Sequence, residues 1–210
     1  MSTPLTPYYQ HAGITIYHGD CREILPGLAK VDLLLTDPPY GAGYAANPIL
    51  GKNRASKPHE AKEWDGAPVA EMGEIIQHAK DAVVWGGNYY SLPPSRCWLI
   101  WYKPDSLPSM ADLEMAWVSR DGNAKHFSWT TAATNPERVG HPTQKPEAVM
   151  KWCISHFPEA QTILDPFMGS GTTLVAAKNL GRKAIGIEIE ERYCEIAAKR
   201  LSQEVFDFTT

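Results

Sequence analysis

The residues with the clearest potential for chemistry are Asp37, Pro38, Pro39 and Tyr40, which directly follow an apolar run. The two prolines fix the backbone and remove two N–H donors, so the turn presents only carbonyl oxygens and the Asp37 carboxylate. Such a set of acceptors suits a planar amino group, which has two N–H bonds to donate. Tyr40 offers a ring on which a base can stack, an interaction of about 1–3 kcal/mol. The alternative is a structural turn that ends a strand, with Tyr40 in the core.

A second candidate site is the stretch 165–173, Asp-Pro-Phe-Met-Gly-Ser-Gly-Thr-Thr, which is followed by Glu188. Glycines let a ligand approach the backbone, and a helix N-terminus offers free N–H groups. A carboxylate at the end of the next strand can accept both hydroxyls of a ribose. No lysine follows the glycines, as a phosphate-binding loop requires, and Leu174 replaces the third glycine of a nicotinamide-dinucleotide motif. The pattern favours a nucleoside-type ligand, with ordinary turn glycines as the alternative.

Both sites require strands that end where the motifs begin. Short apolar runs alternate with helical patterns, which predicts an α/β protein with a mostly parallel sheet. Seven strands are predicted, at 14–17, 31–36, 82–85, 98–102, 113–118, 162–165 and 184–188. Five helices are predicted, at 21–28, 69–80, 147–156, 172–179 and 190–201. The stretch 119–140 is polar and poorly periodic, and 41–66 is predicted to be a mobile loop.

The length and composition limit the domain organisation. A chain of 210 residues, 43% of them hydrophobic, can bury one core and is too short for two ordinary domains. A single domain over 1–210 is therefore expected. We expect a cytoplasmic protein, because the chain has neither an apolar run of about 18 residues nor a signal peptide. Four scattered cysteines without a C-x-x-C pair argue against disulfides and against a metal site.

The charge is unevenly distributed along the chain. A formal net charge of −4 is not the basic surface typical of a nucleic-acid-binding protein. Between residues 41 and 62, however, Lys52, Arg54, Lys57 and Lys62 are accompanied by Glu60 as the one acidic residue. This local surplus follows the Asp-Pro-Pro-Tyr turn, where a polyanion would approach. An ordinary solvated loop remains the alternative.

The order of these motifs resembles that of the DNA amino-methyltransferases, specifically their circularly permuted β group. The Asp37 motif precedes the 165–173 motif, and His-Pro-Thr-Gln-Lys-Pro lies between them at 141–146. The resemblance covers about residues 13–203. It implies a seven-stranded, Rossmann-like sheet, with S-adenosylmethionine as cofactor. The first five predicted strands would correspond to the family's third to seventh, and the last two to its first and second.

The resemblance also implies which residues bind the cofactor and which catalyse. Glu188 looks like the ribose ligand, and Asp20 looks like the acidic residue that reaches the adenine. Thr143 and Lys145 resemble groups beside the cofactor's carboxylate. The implied cofactor-binding residues are Asp20, Cys21, Asp37, Thr143, Lys145, Asp165, Pro166, Phe167, Gly169, Ser170, Gly171, Thr172, Thr173 and Glu188. The implied catalytic residues are Asp37, Pro38, Pro39 and Tyr40.

The implied reaction methylates the exocyclic amino group of a flipped-out base in double-stranded DNA. In this group an Asp form of the tetrapeptide usually accompanies adenine N6 and a Ser form cytosine N4, so Asp37 favours adenine and leaves cytosine as the alternative. The expected target-recognition insertion, 103–140, is short, and specificity could depend on a homodimer. The candidate DNA contacts are Lys52, Arg54, Lys57, Trp64, Arg120, Lys125, Trp129 and Arg138.

Three other protein classes compete with this interpretation. Methyltransferases that act on RNA or on a protein glutamine often carry Asn at the position of Asp37 and usually keep the unpermuted order. A non-catalytic DNA-binding relative is opposed by the intact Asp37, Tyr40, Gly169 and Glu188. A nicotinamide-dependent dehydrogenase would leave the Asp-Pro-Pro-Tyr turn without a role.

Overall fold

The computed structural model describes residues 5–39, 69–108, 110–134 and 144–202. In these ranges one mixed sheet contains nine strands. The strands are β1 (Tyr9–His11), β2 (Ile14–His18), β3 (Val31–Thr36), β4 (Ala79–Trp85), β5 (Trp98–Tyr102), β6 (Leu113–Val118), β7 (Lys125–Ser128), β8 (Thr162–Asp165) and β9 (Lys183–Glu188). The helices are α1 (Cys21–Ile24), α2 (Met72–Ile75), α3 (Thr131–Thr134), α4 (Glu147–Ser155), α5 (Thr172–Asn179) and α6 (Glu191–Ser202). None of these helices is long and apolar enough to cross a membrane.

The central strands are buried on both faces of the sheet. Successive side chains of a strand point to opposite faces, so β3 contributes to two cores. Leu33 and Leu35 pack in a core that includes side chains of α4, α5 and α6. Leu34 packs in a second core, with side chains of α1 and α2. This burial on both sides explains why β3 reads as a continuous apolar run in the sequence.

The strand order across the sheet is β1-β2-β9-β8-β3-β4-β6-β5-β7. Strands β2, β9, β8, β3 and β4 are parallel to one another, and β6 is antiparallel to both β4 and β5. The last two strands of the chain thus lie in the middle of the sheet, between β2 and β3. The five parallel strands end at one edge, here called the carboxyl-end edge, and the opposite edge is the amino-end edge. Ligands of open α/β sheets bind beyond the carboxyl ends of the strands.

The predicted mostly parallel α/β sheet is confirmed, but the predicted number of seven strands is too low. The two missed strands, β1 and β7, have three and four residues and lie at the two outermost positions of the sheet. Most of their side chains are exposed, so neither strand contains the apolar run from which the others were predicted. The circularly permuted order stays a prediction from the motifs.

The predicted bounds agree residue for residue for β3, β5, β6, β8 and α5. The helix predicted at 69–80 is wrong at its end, because Ala79–Trp85 forms β4 and its first residues pair with β3. The helix predicted at 21–28 stops at Ile24 and continues as a tighter 3-10 turn over Leu25–Gly27. The polar stretch after β6 contains β7 and α3. The predicted mobile loop, 41–66, lies outside the described residues.

Candidate active site

Four of the predicted acidic site residues lie at the carboxyl-end edge. Asp165 and Glu188 are the last residues of β8 and β9, Asp37 directly follows β3, and Asp20 follows β2 by two residues. These four strands are neighbours in the order β2-β9-β8-β3. Residues that lie far apart in the sequence therefore meet at one edge because the strands that carry them are adjacent and parallel.

The glycine-rich turn between β8 and α5 requires glycine at two positions. Gly169 and Gly171 have φ angles of 49° and 79°, in the left-handed region that side chains disfavour. A Cβ atom at Gly171 would also lie 2.7 Å from the Cβ of Ala197 in α6. Glycine at this position therefore lets the turn reverse direction and lets α5 begin close against α6.

We expect Gly171→Ala to lower the free energy of unfolding by about 2–4 kcal/mol, since it adds a steric clash to the backbone strain. Gly181→Ala is the matched control, because Gly181 also has a left-handed φ, of 68°, but an added Cβ there meets nothing within 4 Å. The control should cost only about 1 kcal/mol. Urea denaturation of both variants measures the two free energies of unfolding. Equal losses would show that the steric contact with Ala197 does not contribute to the effect.

Arg200 of α6 holds part of this turn in place. The Nη1 atom of Arg200 donates to the carbonyl of Ser170 at 2.7 Å and to Oγ1 of Thr172 at 3.2 Å. Ser170, Thr172 and Thr173 are all buried. The structure thus gives Ser170 and Thr172 a part in fixing the turn, and their contact with a cofactor stays a prediction. Pro166 is buried beside them and Phe167 is half-buried.

Glu188 is held in a position suited to binding a ribose. Its Oε2 accepts from the N–H of Gly169 at 3.0 Å and its Oε1 from the N–H of Glu190 at 2.8 Å. Each carboxylate oxygen can accept more than one hydrogen bond, so the group can still bind two hydroxyls. Burial raises the pKa of Glu188 to about 7, although the two backbone N–H groups favour its ionised form. The next side chain, Ile189, is exposed and offers an apolar surface beside this carboxylate.

This pKa predicts a pH dependence of cofactor binding. Ribose hydroxyls donate to the ionised carboxylate, and a pKa near 7 leaves Glu188 mostly protonated at pH 6. The affinity for S-adenosylmethionine should therefore rise about tenfold between pH 6 and pH 8. Calorimetric titrations across this range measure it, with Glu188→Gln as the control that should flatten the profile. If the variant keeps the same profile, another group is responsible.

Asp165 joins the two motifs that the sequence singled out. Its Oδ1 accepts from the hydroxyl of Thr36 at 2.7 Å and from the N–H of Phe167 at 3.1 Å. Thr36 is the last residue of β3 and directly precedes Asp37. Burial raises the pKa of Asp165 to about 6, and the nearby charge of Asp37 acts in the same direction. The glycine-rich turn is thereby fixed to the strand end that carries the Asp-Pro-Pro turn.

The side chain of Asp37 forms an ion pair with Lys145. Lys145 Nζ lies 2.6 Å from Asp37 Oδ2 and 3.0 Å from Glu114 Oε2. In the structure the Lys145 ammonium pairs with these two protein carboxylates, and the contact with the cofactor's carboxylate that the resemblance implies stays a prediction. Tyr90 donates its hydroxyl to the carbonyl of Pro39 at 2.8 Å and so fixes the turn after Asp37.

Asp20 and Cys21 lie at the start of α1. The Asp20 side chain caps this helix and forms an ion pair with Arg22. A hydrogen bond from Arg22 is the main reason that the pKa of Asp20 lies below its ordinary value. Burial raises the pKa of Cys21 to about 11, so its thiol is neutral. Their contacts with an adenine ring stay predictions.

The structure separates two predicted DNA contacts from the site. Arg120 follows β6 and pairs with Asp81 and Glu159 at the amino-end edge. Lys125 is the first residue of β7 and also lies at that edge, because β7 runs parallel to β5. Trp129 follows the other end of β7, at the carboxyl-end edge, where it stacks on Phe127. Tyr40, Thr143, Lys52, Arg54, Lys57, Trp64 and Arg138 lie outside the described residues.

Three side chains at the carboxyl-end edge were not predicted from the sequence, namely Lys103, Glu114 and Tyr90. Glu114 lies near the start of β6 and Lys103 directly follows β5, so neither belongs to a recognisable motif. Their roles follow from the antiparallel pairing of β5 and β6, which a local pattern does not contain. Among the described residues no group of three or more His, Cys, Asp or Glu side chains could hold a metal ion.

Comparison with known proteins indicates the family to which the chain belongs. A family model described as DNA methylase matches residues 105–199. The Type II methyltransferase M2.LlaDCHI of Lactococcus lactis subsp. cremoris is 47% identical over an alignment that covers 94% of this chain and 92% of the relative. The crystal structure of the M1.HpyAVI–SAM complex is 26% identical, with a TM-score of 0.58 and coverage of 90% of this chain and 100% of that one.

A further solved structure has the same fold at lower identity. The PvuII DNA methyltransferase, described as cytosine-N4-specific, gives a TM-score of 0.59 at 18% identity and covers 96% of this chain and 90% of that one. The identity to M2.LlaDCHI and the structural similarity to the M1.HpyAVI–SAM complex together show that the chain has a methyltransferase fold. The chain belongs to the DNA amino-methyltransferase family, whose members modify adenine N6 or cytosine N4.

Proposed function

We propose that this protein transfers a methyl group from S-adenosylmethionine to N6 of adenine in double-stranded DNA. The observation that carries the proposal is the hydrogen bond between Thr36 and Asp165, which joins the two motifs across 129 positions of sequence. It sets the acceptor turn after β3 directly beside the glycine-rich turn and Glu188. A methyl donor and an amino acceptor would need this proximity to react.

The residues of the carboxyl-end edge fit S-adenosylmethionine. The Glu188 carboxylate suits the two ribose hydroxyls, and the exposed side chain of Ile189 suits a face of the adenine ring. The turn at Gly169–Gly171 brings backbone close to the ligand without side chains in the way. Bound there, the cofactor supplies a methyl group that is already activated on a sulfonium sulfur.

Asp37 is the group that we assign to the target amino nitrogen. Methylation leaves positive charge on this nitrogen until a proton is lost, so a fixed carboxylate beside it stabilises the transition state. Asp37 and the Pro38 carbonyl would accept the two N–H bonds of the amino group. No strong base is required, because the proton can leave after the methyl group has been transferred. Tyr40 would stack on the base, which must first be flipped out at a cost of a few kcal/mol.

Adenine is preferred over cytosine because of Asp37 alone. The Asp form of the tetrapeptide usually accompanies adenine, as noted for the resemblance, and cytosine N4 is an amino nitrogen of the same chemistry. Methylation of cytosine N4 is therefore the alternative within the same mechanism.

The positive charges at Lys52, Arg54 and Lys57, which follow the turn in sequence, would approach the DNA backbone.

A competition assay tests the substrate class. Purified protein with methyl-labelled S-adenosylmethionine is offered duplex DNA, RNA and a protein extract in one reaction. We expect the label in DNA, and transfer predominantly to RNA or protein would overturn the proposal. Single-molecule sequencing of DNA from cells that express the protein would then report the recognition sequence.

A further inference from the structure

Four charged side chains form a continuous chain of alternating sign behind the Asp-Pro-Pro turn. Asp37 contacts Lys145 at 2.6 Å, Lys145 contacts Glu114 at 3.0 Å, and Glu114 contacts Lys103 at 3.0 Å. Glu114 uses one oxygen for each lysine, Oε1 for Lys103 and Oε2 for Lys145. We refer to these four residues as the charge chain. Its two positive and two negative groups sum to zero.

The two lysines are enclosed by protein. Their side chains are 9% exposed at Lys103 and 4% at Lys145, and each ammonium lies over an indole ring, Trp101 at 5.3 Å and Trp85 at 5.5 Å. The Glu114 side chain is 30% exposed, but water screens the two enclosed ammonium groups poorly, so their interactions are stronger than those between fully exposed groups. An unpaired charge here would be costly, and the alternating arrangement offsets that cost.

Glu114 pairs with both lysines and so bridges them. Its position is fixed by β6, where it lies opposite Trp101 of β5, and the backbone N–H of Lys103 donates to the carbonyl of Asp112 at 2.8 Å. Burial on its own raises the pKa of Glu114, but the charges of Lys145 and Lys103 outweigh burial and leave this pKa below its ordinary value. Glu114 therefore remains ionised when the other three groups are charged.

We propose that Glu114 is a positioning residue for methyl transfer: it holds the Lys145 ammonium between two carboxylates and keeps the charge chain neutral behind Asp37. This inference rests on the proposed role of Asp37. Loss of the Glu114 charge would leave one net positive charge close to a nitrogen that must itself become positive. Loss of its reach would remove one of the two carboxylates that hold the Lys145 ammonium, and would thereby shift the orientation of the Asp37 carboxylate.

The test measures the rate constant of a single enzyme turnover at saturating cofactor and DNA. Glu114→Gln should slow methyl transfer about 10- to 100-fold, because it gives the charge chain a net charge of +1. Lys103→Met gives −1 and should slow transfer less, by under about fivefold. The double variant is neutral again and should be at least about fivefold faster than Glu114→Gln alone. The dissociation constants for S-adenosylmethionine and DNA should change by less than about threefold in all of them.

Two further variants separate positioning from general stability. Asp81→Asn is the matched control, since it removes a carboxylate from the ion pairs of Arg120 at the amino-end edge and should lower thermal stability without slowing transfer. Glu114→Asp keeps the charge but is one methylene too short to bridge both lysines, and should slow transfer about five- to tenfold. It also serves as the decisive variant if Glu114→Gln does not fold.

Each outcome decides the inference. A wild-type rate in Glu114→Asp, or a double variant slower than Glu114→Gln, would overturn it, because a purely structural residue gives losses that add. The inference would also be overturned if the single-turnover rate constants of these variants fell only as their melting temperatures fell, since general loss of stability would then explain both. If the wild-type protein transfers methyl groups normally and these variants do so too, the inference alone fails. If the wild-type protein transfers none to DNA, the proposed function fails and the inference with it.

Discussion

Replacing Asp37 with alanine should lower the rate of methyl transfer by at least about 10³-fold, a much larger effect than on the affinity for S-adenosylmethionine. The substitution removes the acceptor for the target amino group and the negative charge that faces the positive charge developing on its nitrogen. Glu114 still pairs with Lys145, so the neighbouring cation keeps a partner. Single-turnover methylation of duplex DNA, together with calorimetric titration of the cofactor, measures both quantities.

Asp32→Asn is the control for this experiment. Asp32 lies in β3, near the end opposite to Asp37, and accepts hydrogen bonds from Thr162 and Gln161. Its loss should lower the melting temperature without slowing methyl transfer. Asp37→Asn, which keeps the shape and one acceptor, should be slowed about 10²-fold. Robust methylation by Asp37→Ala would remove Asp37 from the mechanism.

Glu188→Gln should weaken the binding of S-adenosylmethionine about 10- to 100-fold at pH 8. The amide keeps one acceptor oxygen and loses the charge that strengthens hydrogen bonds from the ribose hydroxyls. At saturating cofactor the rate of methyl transfer should recover, because Glu188 binds the cofactor at a distance from the reacting nitrogen. The measurements are the dissociation constant from calorimetry and the maximal single-turnover rate.

Glu195→Gln provides the control for Glu188. Glu195 is an exposed residue of α6 that pairs with Lys199, and its replacement should leave the affinity for S-adenosylmethionine unchanged. If Glu188→Gln bound the cofactor as tightly as the wild-type protein does, the ribose would have to bind elsewhere. A loss of affinity in both variants would indicate a general effect of negative charge rather than a specific contact.

The strands that could be predicted are those that form apolar runs in the sequence. β3, β5, β6 and β8 match the predicted bounds because their buried apolar runs stop where polar or turn residues begin. β1 and β7 could not be predicted in this way, since they are short, polar and held by a single neighbouring strand. Ala79 and Lys80, at the polar start of β4, were predicted as helix because their strand conformation comes from the pairing of β4 with β3.

The same distinction applies to the site. The position of Asp37, Asp165 and Glu188 at the carboxyl ends of strands could be predicted because a strand end and the motif beside it are both local features of sequence. The charge chain could not, because Lys145 contacts Asp37 across 108 positions and Glu114 belongs to a strand that carries no motif. Arg120 was selected for its charge alone, and the structure shows that Asp81 and Glu159 pair with it.

The most direct test of the account is mass spectrometry of nucleosides from duplex DNA treated with the purified protein and S-adenosylmethionine. The predicted product is N6-methyladenine, formed by the wild-type protein and missing from a parallel reaction with Asp37→Ala. N4-methylcytosine in its place would retain the mechanism and change the base. DNA that contains neither methylated nucleoside after incubation with cofactor-binding protein would contradict the account.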